Sequence, residues 1–160
     1  MHGVIKAGVI VGTAAGIVSA IFATAISLAT AEDIWVGAKA AGYAFYGDRT
    51  LLPGFELDLI IVGVLTHFAV SIGWSIPFVL LFWGLSPRAT LIAGILWGLG
   101  VWIVMFYIVL PLVGAAKVAA MTPVGRAIVE HLFFGIAVAT GFVGFQRSQA
   151  TAMRAFSRAV

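Results

Sequence analysis

Four long runs of apolar residues, about 4–29, 57–83, 87–112 and 123–145, constrain this chain more than anything else in it. A helix needs about 20 mostly apolar residues to cross about 30 Å of hydrocarbon, so each run is long enough to cross with some tilt. Composition agrees: the 160 residues are 62% hydrophobic and only 9% charged. A soluble domain carries roughly a quarter charged residues because its surface must be wetted. Nine basic and six acidic side chains cannot wet a globule of 16.8 kDa. The expected fold is therefore all-α, a polytopic membrane protein whose residues 1–160 form a single four-helix up-down bundle. The absence of cysteine excludes disulfides, thiolate metal sites and cysteine nucleophiles.

Local signals mark the span ends. Gly84 follows the second run, and Ser86-Pro87 reads as an N-cap with proline at the first helical position. Spans two and three are then joined by a turn of about two or three residues, which makes them antiparallel neighbours. Thr122-Pro123 repeats the start signal, and Glu56 and Asp58 suit the positive dipole end of span two. Lys6 and Ala23-Thr24-Ala25 superficially match a signal peptide, but the run between them is too long for its apolar core and reads as a span. An even number of spans puts both termini on one side, with Lys6, Arg88, Arg147, Arg154 and Arg158. The other side takes Lys39, Arg49, Lys117, Arg126 and all six acidic residues. The basic excess and the segregated acids both assign the termini to the cytoplasm.

Small residues predict how the spans pack. Gly8, Gly12, Gly16 and Ala20 share one face of span one, and Gly94 and Gly98 give span three the same device. Lipid supplies no hydrophobic drive between helices, so close backbone approach must hold them. Such faces serve either as a docking seam for a partner subunit or, the favoured reading, as packing inside the bundle. Gly63, His67, Ser71 and Ser75 form a polar stripe on span two that should face the bundle, a cavity or a partner. Pro77 predicts a kink, with the Ser75 hydroxyl partly compensating the lost bond. Trp74, Trp97 and Trp102 read as core packing. Between spans one and two, Thr30-Ala31-Glu32-Asp33 resembles a capping box, and residues 31–46 read as a short interfacial helix. The basic tail 147–160 extends span four along anionic headgroups, with Arg147, Arg154 and Arg158 set against Met153, Phe156 and Val160. That is anchoring, with no nucleic-acid partner implied.

Few residues can do chemistry. His67 and His131 lie at similar depths on spans that sit diagonally across an up-down bundle, so together they are candidates for axial haem ligation. Gly63 and Gly135 would make room for a haem b porphyrin, and Arg126 or Lys117 would meet its propionates. A metal ion at the histidines is a further reading, and simple hydrogen bonding to Ser71, Thr140 or Glu130 the favoured one. Glu130 and His131 form a candidate proton-linked pair, because an ionisable residue in the apolar layer is costly. The alternative places Glu130 at the headgroups, paired with Arg126 one turn away. No nucleotide-binding, metalloprotease or serine-hydrolase motif occurs, so the chain is not expected to be an enzyme.

His67-xxx-Ser71-x-Gly73, Ala93-Gly94-xxx-Gly98, Pro111 and Glu130-His131-xxx-Gly135 together resemble small bacterial inner-membrane proteins of the YagU-like type, over about residues 60–146. The resemblance implies a four-span protein of the bacterial inner membrane, from a group linked to acid resistance, and it assigns no catalytic residue. The leading expectation is a non-catalytic subunit that packs within or stabilises a larger membrane complex, with other membrane subunits or copies of itself as partners.

Overall fold

The computed structural model describes residues 2–159, with side chains over residues 3–157. Roles read for Arg158 and Val160 lie outside the described side chains. Four helices dominate: α1 (His2–Ala29), α4 (Leu57–Leu81), α5 (Pro87–Val104) and α8 (Val124–Ala159). Short helices fill the connections: α2 (Ile34–Ala40), α3 (Tyr43–Tyr46), α6 (Leu110–Leu112) and α7 (Ala116–Met121). Four segments, Gly3–Ala29, Leu57–Leu81, Pro87–Leu112 and Val124–Ser157, are long and apolar enough to cross a membrane. The chain is an all-α, multi-pass membrane protein. We call the face with both termini the tail side and the opposite face the loop side.

Glycine sets the two closest seams. On α1, a Cβ at Gly8 would lie 2.6 Å from Ile76 Cγ1, and one at Gly12 would lie 2.7 Å from Ile72 Cα. The Gly8-Gly12-Gly16 stripe therefore packs α1 on α4 within the chain. On α5, a Cβ at Gly94 would meet the Gly135 carbonyl at 2.6 Å, and one at Gly98 would collide with the His131 carbonyl. Gly135 of α8 answers with its own bare backbone, 2.8 Å from Gly98 N by the same measure. At such separations Cα–H groups face carbonyl oxygens, a weak attraction available only where side chains are missing.

The remaining seams use side chains. Ala7, Val11 and Ala15 of α1 join Val138, Ala139 and Phe142 of α8 in the buried core. Phe22 and Phe133 stack at 3.9 Å nearer the loop side. Between α4 and α5, Trp97 sits edge-on to Trp74 at 6.0 Å and to Phe78 at 5.8 Å, holding the helices apart. The order around the bundle is α1, α4, α5, α8. The second and fourth spans lie on a diagonal, bridged by Phe78 and Phe142 at 6.2 Å.

Several local expectations change. The N-cap of α2 is Asp33, which accepts from Trp35 N at 2.7 Å, whereas Glu32 is drawn to Arg126 instead of closing a capping box. The interfacial stretch is two short helices, and α2 is pressed onto α4 so that a Cβ on Gly63 would collide with the Ala38 carbonyl. Ser75 Oγ donates to the Ser71 carbonyl at 2.8 Å, one turn back, and not to the Gly73 carbonyl that Pro77 deprives of its donor. Span three widens into a π-helical segment, Met105–Val109, immediately before Pro111. The proline's ring and missing N–H break the α register there, and Trp74 Nε1 donates to Met105 Sδ at 3.3 Å. The helix of span four continues into the tail, as expected: α8 runs 36 residues without a break, about 54 Å.

The glycine seam is testable against a matched control. Gly98→Leu forces a side chain into the α8 backbone and should destabilise the bundle by about 3 kcal/mol or more. Gly100→Leu meets open space and should change the melting temperature in detergent little. Equal melting temperatures for the two variants would contradict this account.

Candidate functional site

The polar residues near the loop side fall into two clusters, and both begin with a charge that the fold has partly or wholly taken from water. The first is Lys39, fully buried in the last turn of α2. Its Nζ donates to the Leu52 carbonyl at 2.6 Å and the Gly54 carbonyl at 2.8 Å, and lies 3.6 Å from Glu56 Oε1. An ammonium has three donors, and here two backbone acceptors and one carboxylate surround it. Asp33 grips the same loop from the other end of α2, accepting from Gly54 N at 2.7 Å. Arg49 completes this cluster with Glu56 at 2.6 Å and Asp58 at 3.6 Å. Sequence reasoning left Lys39 among the surface charges. Its signal was the run of small residues around it, Gly37 to Gly42, which lets helix α2 approach α4 closely.

The second cluster centres on Arg126, in the first turn of α8. Its Nε donates to Glu130 Oε1 at 2.8 Å, its Nη2 to Ser27 Oγ at 3.0 Å, and its Nη1 to Glu32. One guanidinium thus ties the end of α1, the first loop and the start of α8 together. Glu130 is the ion-pair partner of Arg126 across one helical turn. A third link joins the two outer loops, where Lys117 donates to Asp48 at 2.8 Å and Tyr43 Oη donates to the other oxygen of that carboxylate.

The histidines are held apart by different neighbours. Nε2–H of His67 donates to the Gly16 carbonyl at 3.0 Å, turning the ring toward α1. Nδ1–H of His131 donates to the Ala127 carbonyl at 2.8 Å, and its ring meets Phe106 edge-on at 5.5 Å. A carbonyl only accepts, so these bonds fix both tautomers. His131 keeps Nε2 as a free ligating nitrogen, but the bond of His67 to α1 turns its ring away from the diagonal. Gly63 and Gly135, expected to admit a porphyrin, are filled by the backbones of α2 and α5. Lys117 and Arg126 are engaged with Asp48, Glu32 and Glu130. These residues do not fit a haem. Among the described residues, no three His, Asp or Glu side chains gather at metal-ligand range. The arrangement can clamp loops to helices; it does not aim an acid, a base and a nucleophile at one point.

Removing the buried ammonium tests the clamp. Lys39→Met keeps the apolar stem but strands the Leu52 and Gly54 carbonyls, each such loss costing about 1–3 kcal/mol. Amide exchange over residues 47–56 should accelerate while the spans stay protected. Acid should act on the same segment. Bonds from Gly54 and Trp35 hold the Asp33 carboxyl below the usual range, and Lys117 and Arg49 do the same for Asp48 and Glu56. A carboxyl with a depressed folded pKa contributes stability above its unfolded pKa of about 4 and loses it as pH falls through the folded value. Protection of 47–56, corrected for intrinsic rates, should be level from neutral pH down to about 5 and fall below about 4. Compared with family models, with curated proteins and with solved structures, the chain matches none.

Proposed function

We propose that this membrane protein is a non-catalytic subunit that packs within, or stabilises, a larger membrane complex. The observation that carries the reading is the use made of its scarce ionisable residues. Five of the six acidic side chains hold one element to another, Glu130 pairs with Arg126 within α8, and the histidines within the spans bond to backbone carbonyls. Such commitments suit a rigid scaffold. A proton relay or a ligand site needs groups left free to exchange partners. The resemblance to YagU-like proteins supports placement in a bacterial inner membrane, and the basic tail side supports cytoplasmic termini.

Extraction in mild detergent followed by native mass spectrometry tests the proposal. A second membrane chain, or further copies of this one, should remain bound in fixed stoichiometry. A stable lone monomer from its native membrane would overturn it. The same sample should show no Soret band, and a Soret band lost in His67→Ala and His131→Ala would restore the haem reading.

A further inference from the structure

Helix α8 outruns the bundle. On the tail side, Trp83 in the turn between α4 and α5 reaches Phe142 at 5.6 Å, and Phe145 is the last residue packed against the core. Every described residue from Arg147 onward is exposed. At least 11 residues, Arg147–Ser157, roughly 16 Å of helix, therefore stand clear of the other spans.

The direction of each face follows from the unbroken helix. Inside the bundle, Phe134, Val138, Ala139 and Phe142 mark the buried face, and Val129 and Ile136 the exposed one. At about 100° per residue, Gln149, Met153 and Phe156 fall within roughly 40° of the buried face's centre. Arg147 and Arg154 fall roughly 130° away, above the face that the span turns to lipid. Met153 and Phe156 are each 73% exposed. The core stripe of α8 thus continues past the bundle with nothing on it, at the spacing of a helix-packing seam: Phe145, Gln149, Met153, Phe156.

The surroundings are basic. Lys6, Arg88, Arg147 and Arg154 are exposed, and among the described residues none of them is in an ion pair. No acidic residue follows Glu130. This charge would attract anionic headgroups, as the tail's composition predicts. The rotation of the helix opposes it: tipping α8 outward onto the bilayer would press the arginine face into the membrane and lift Met153 and Phe156 into water. A second copy in the same bilayer is also opposed. Its tail carries the same positive charge, and to reach this face its fourth span would have to pass through the bundle beneath.

We propose that the exposed tail of α8 is a docking site for an acidic amphipathic helix of a protein partner, approaching from the aqueous compartment on the tail side. The partner's apolar residues cover Gln149, Met153 and Phe156, and its carboxylates meet Lys6, Arg88, Arg147 and Arg154. This deepens the subunit reading and rests on it.

The chain has no cysteine, so Gln149→Cys accepts a single environment-sensitive fluorophore on the proposed face. The full-length protein goes into nanodiscs of phosphatidylcholine, with or without phosphatidylglycerol. The probe is a synthetic helical peptide with leucine along one seam and glutamate elsewhere, and its control replaces glutamate with lysine. The label should be water-exposed in both lipids and shift to the blue only on adding the acidic peptide. Phe156→Ser should weaken that binding at least tenfold, and Arg154→Glu severalfold. No response to the acidic peptide, or an equal response to both peptides, overturns the inference. A blue shift caused by phosphatidylglycerol alone assigns the tail to the lipid surface instead. If docking fails while other chains still copurify, only this inference falls; a lone monomer removes the subunit reading itself.

Discussion

The bare backbone contact between Gly94, Gly98 and Gly135 is the constraint on which the rest of the bundle depends. In lipid, an apolar side chain gains nothing by leaving one hydrocarbon surrounding for another, so helices associate by how closely they approach. Two such approaches exist, α5 on α8 and α1 on α4, each between helices joined through a loop-side connection. With those pairs drawn tight, the contact of α1 with α8 joins them through small residues such as Ala7 and Ala15. The fourth seam cannot close to the same distance. Trp74, Phe78 and Trp97 fill it, although α4 and α5 are linked by the shortest connection between spans. Sequence proximity forces two helices to be neighbours; it does not decide how near they come.

The same distinction explains what could be read from the sequence. Span number is a local property of apolar run length, and four long apolar helices appear, each starting within a few residues of its run, as does the Ser86 cap of α5, which accepts from Ala89 N at 3.4 Å. The glycine stripes were legible as packing faces, but a period identifies a face and not its neighbour. The structure supplies the neighbours: Ile72 and Ile76 for Gly12 and Gly8, Gly135 for Gly94. Where a residue's partner lies far along the chain, local rules fail. Glu32 has the spacing of a capping box, yet Arg126, 94 positions away, takes its carboxylate. The sequence relates His67 to its own helix and to His131, whereas its partner is a backbone carbonyl of α1. A carbonyl has no sequence signature. The π-helical turn was equally hidden, because Pro111 announces a break and not the form it takes.

Lys39 shows how polar groups organise a region that the bilayer cannot. A buried ammonium is costly unless its donors are matched. The Leu52 and Gly54 carbonyls match two of them, and Glu56 balances the charge. Because those acceptors belong to a loop with no regular hydrogen bonding of its own, satisfying the lysine also fixes the loop. Asp33 reinforces this by bonding Gly54 N, so both polar groups of one glycine are held by the two ends of α2. The outer cap is therefore ordered by electrostatics in an aqueous margin, while the spans are ordered by contact distance in hydrocarbon.

The two ends of the molecule consequently differ in kind. On the loop side, each acidic carboxylate has a cation or a backbone donor, and ion pairs cross-link the first loop to α7 and α8. A surface whose charges are mutually satisfied offers little to a new partner, since binding would first have to break what is already made. On the tail side, among the described residues, Lys6, Arg88, Arg147 and Arg154 are in no ion pair, and the apolar stripe of α8 continues past the bundle. Both features are unfavourable in an isolated monomer, and both are relieved by the same kind of ligand, one that brings negative charge and a hydrophobic face together. Lipid brings both as well, but in the order headgroup above, chain below, which the rotation of α8 reverses. That mismatch between the face the helix presents and the face a bilayer would accept favours a protein ligand over lipid at the tail.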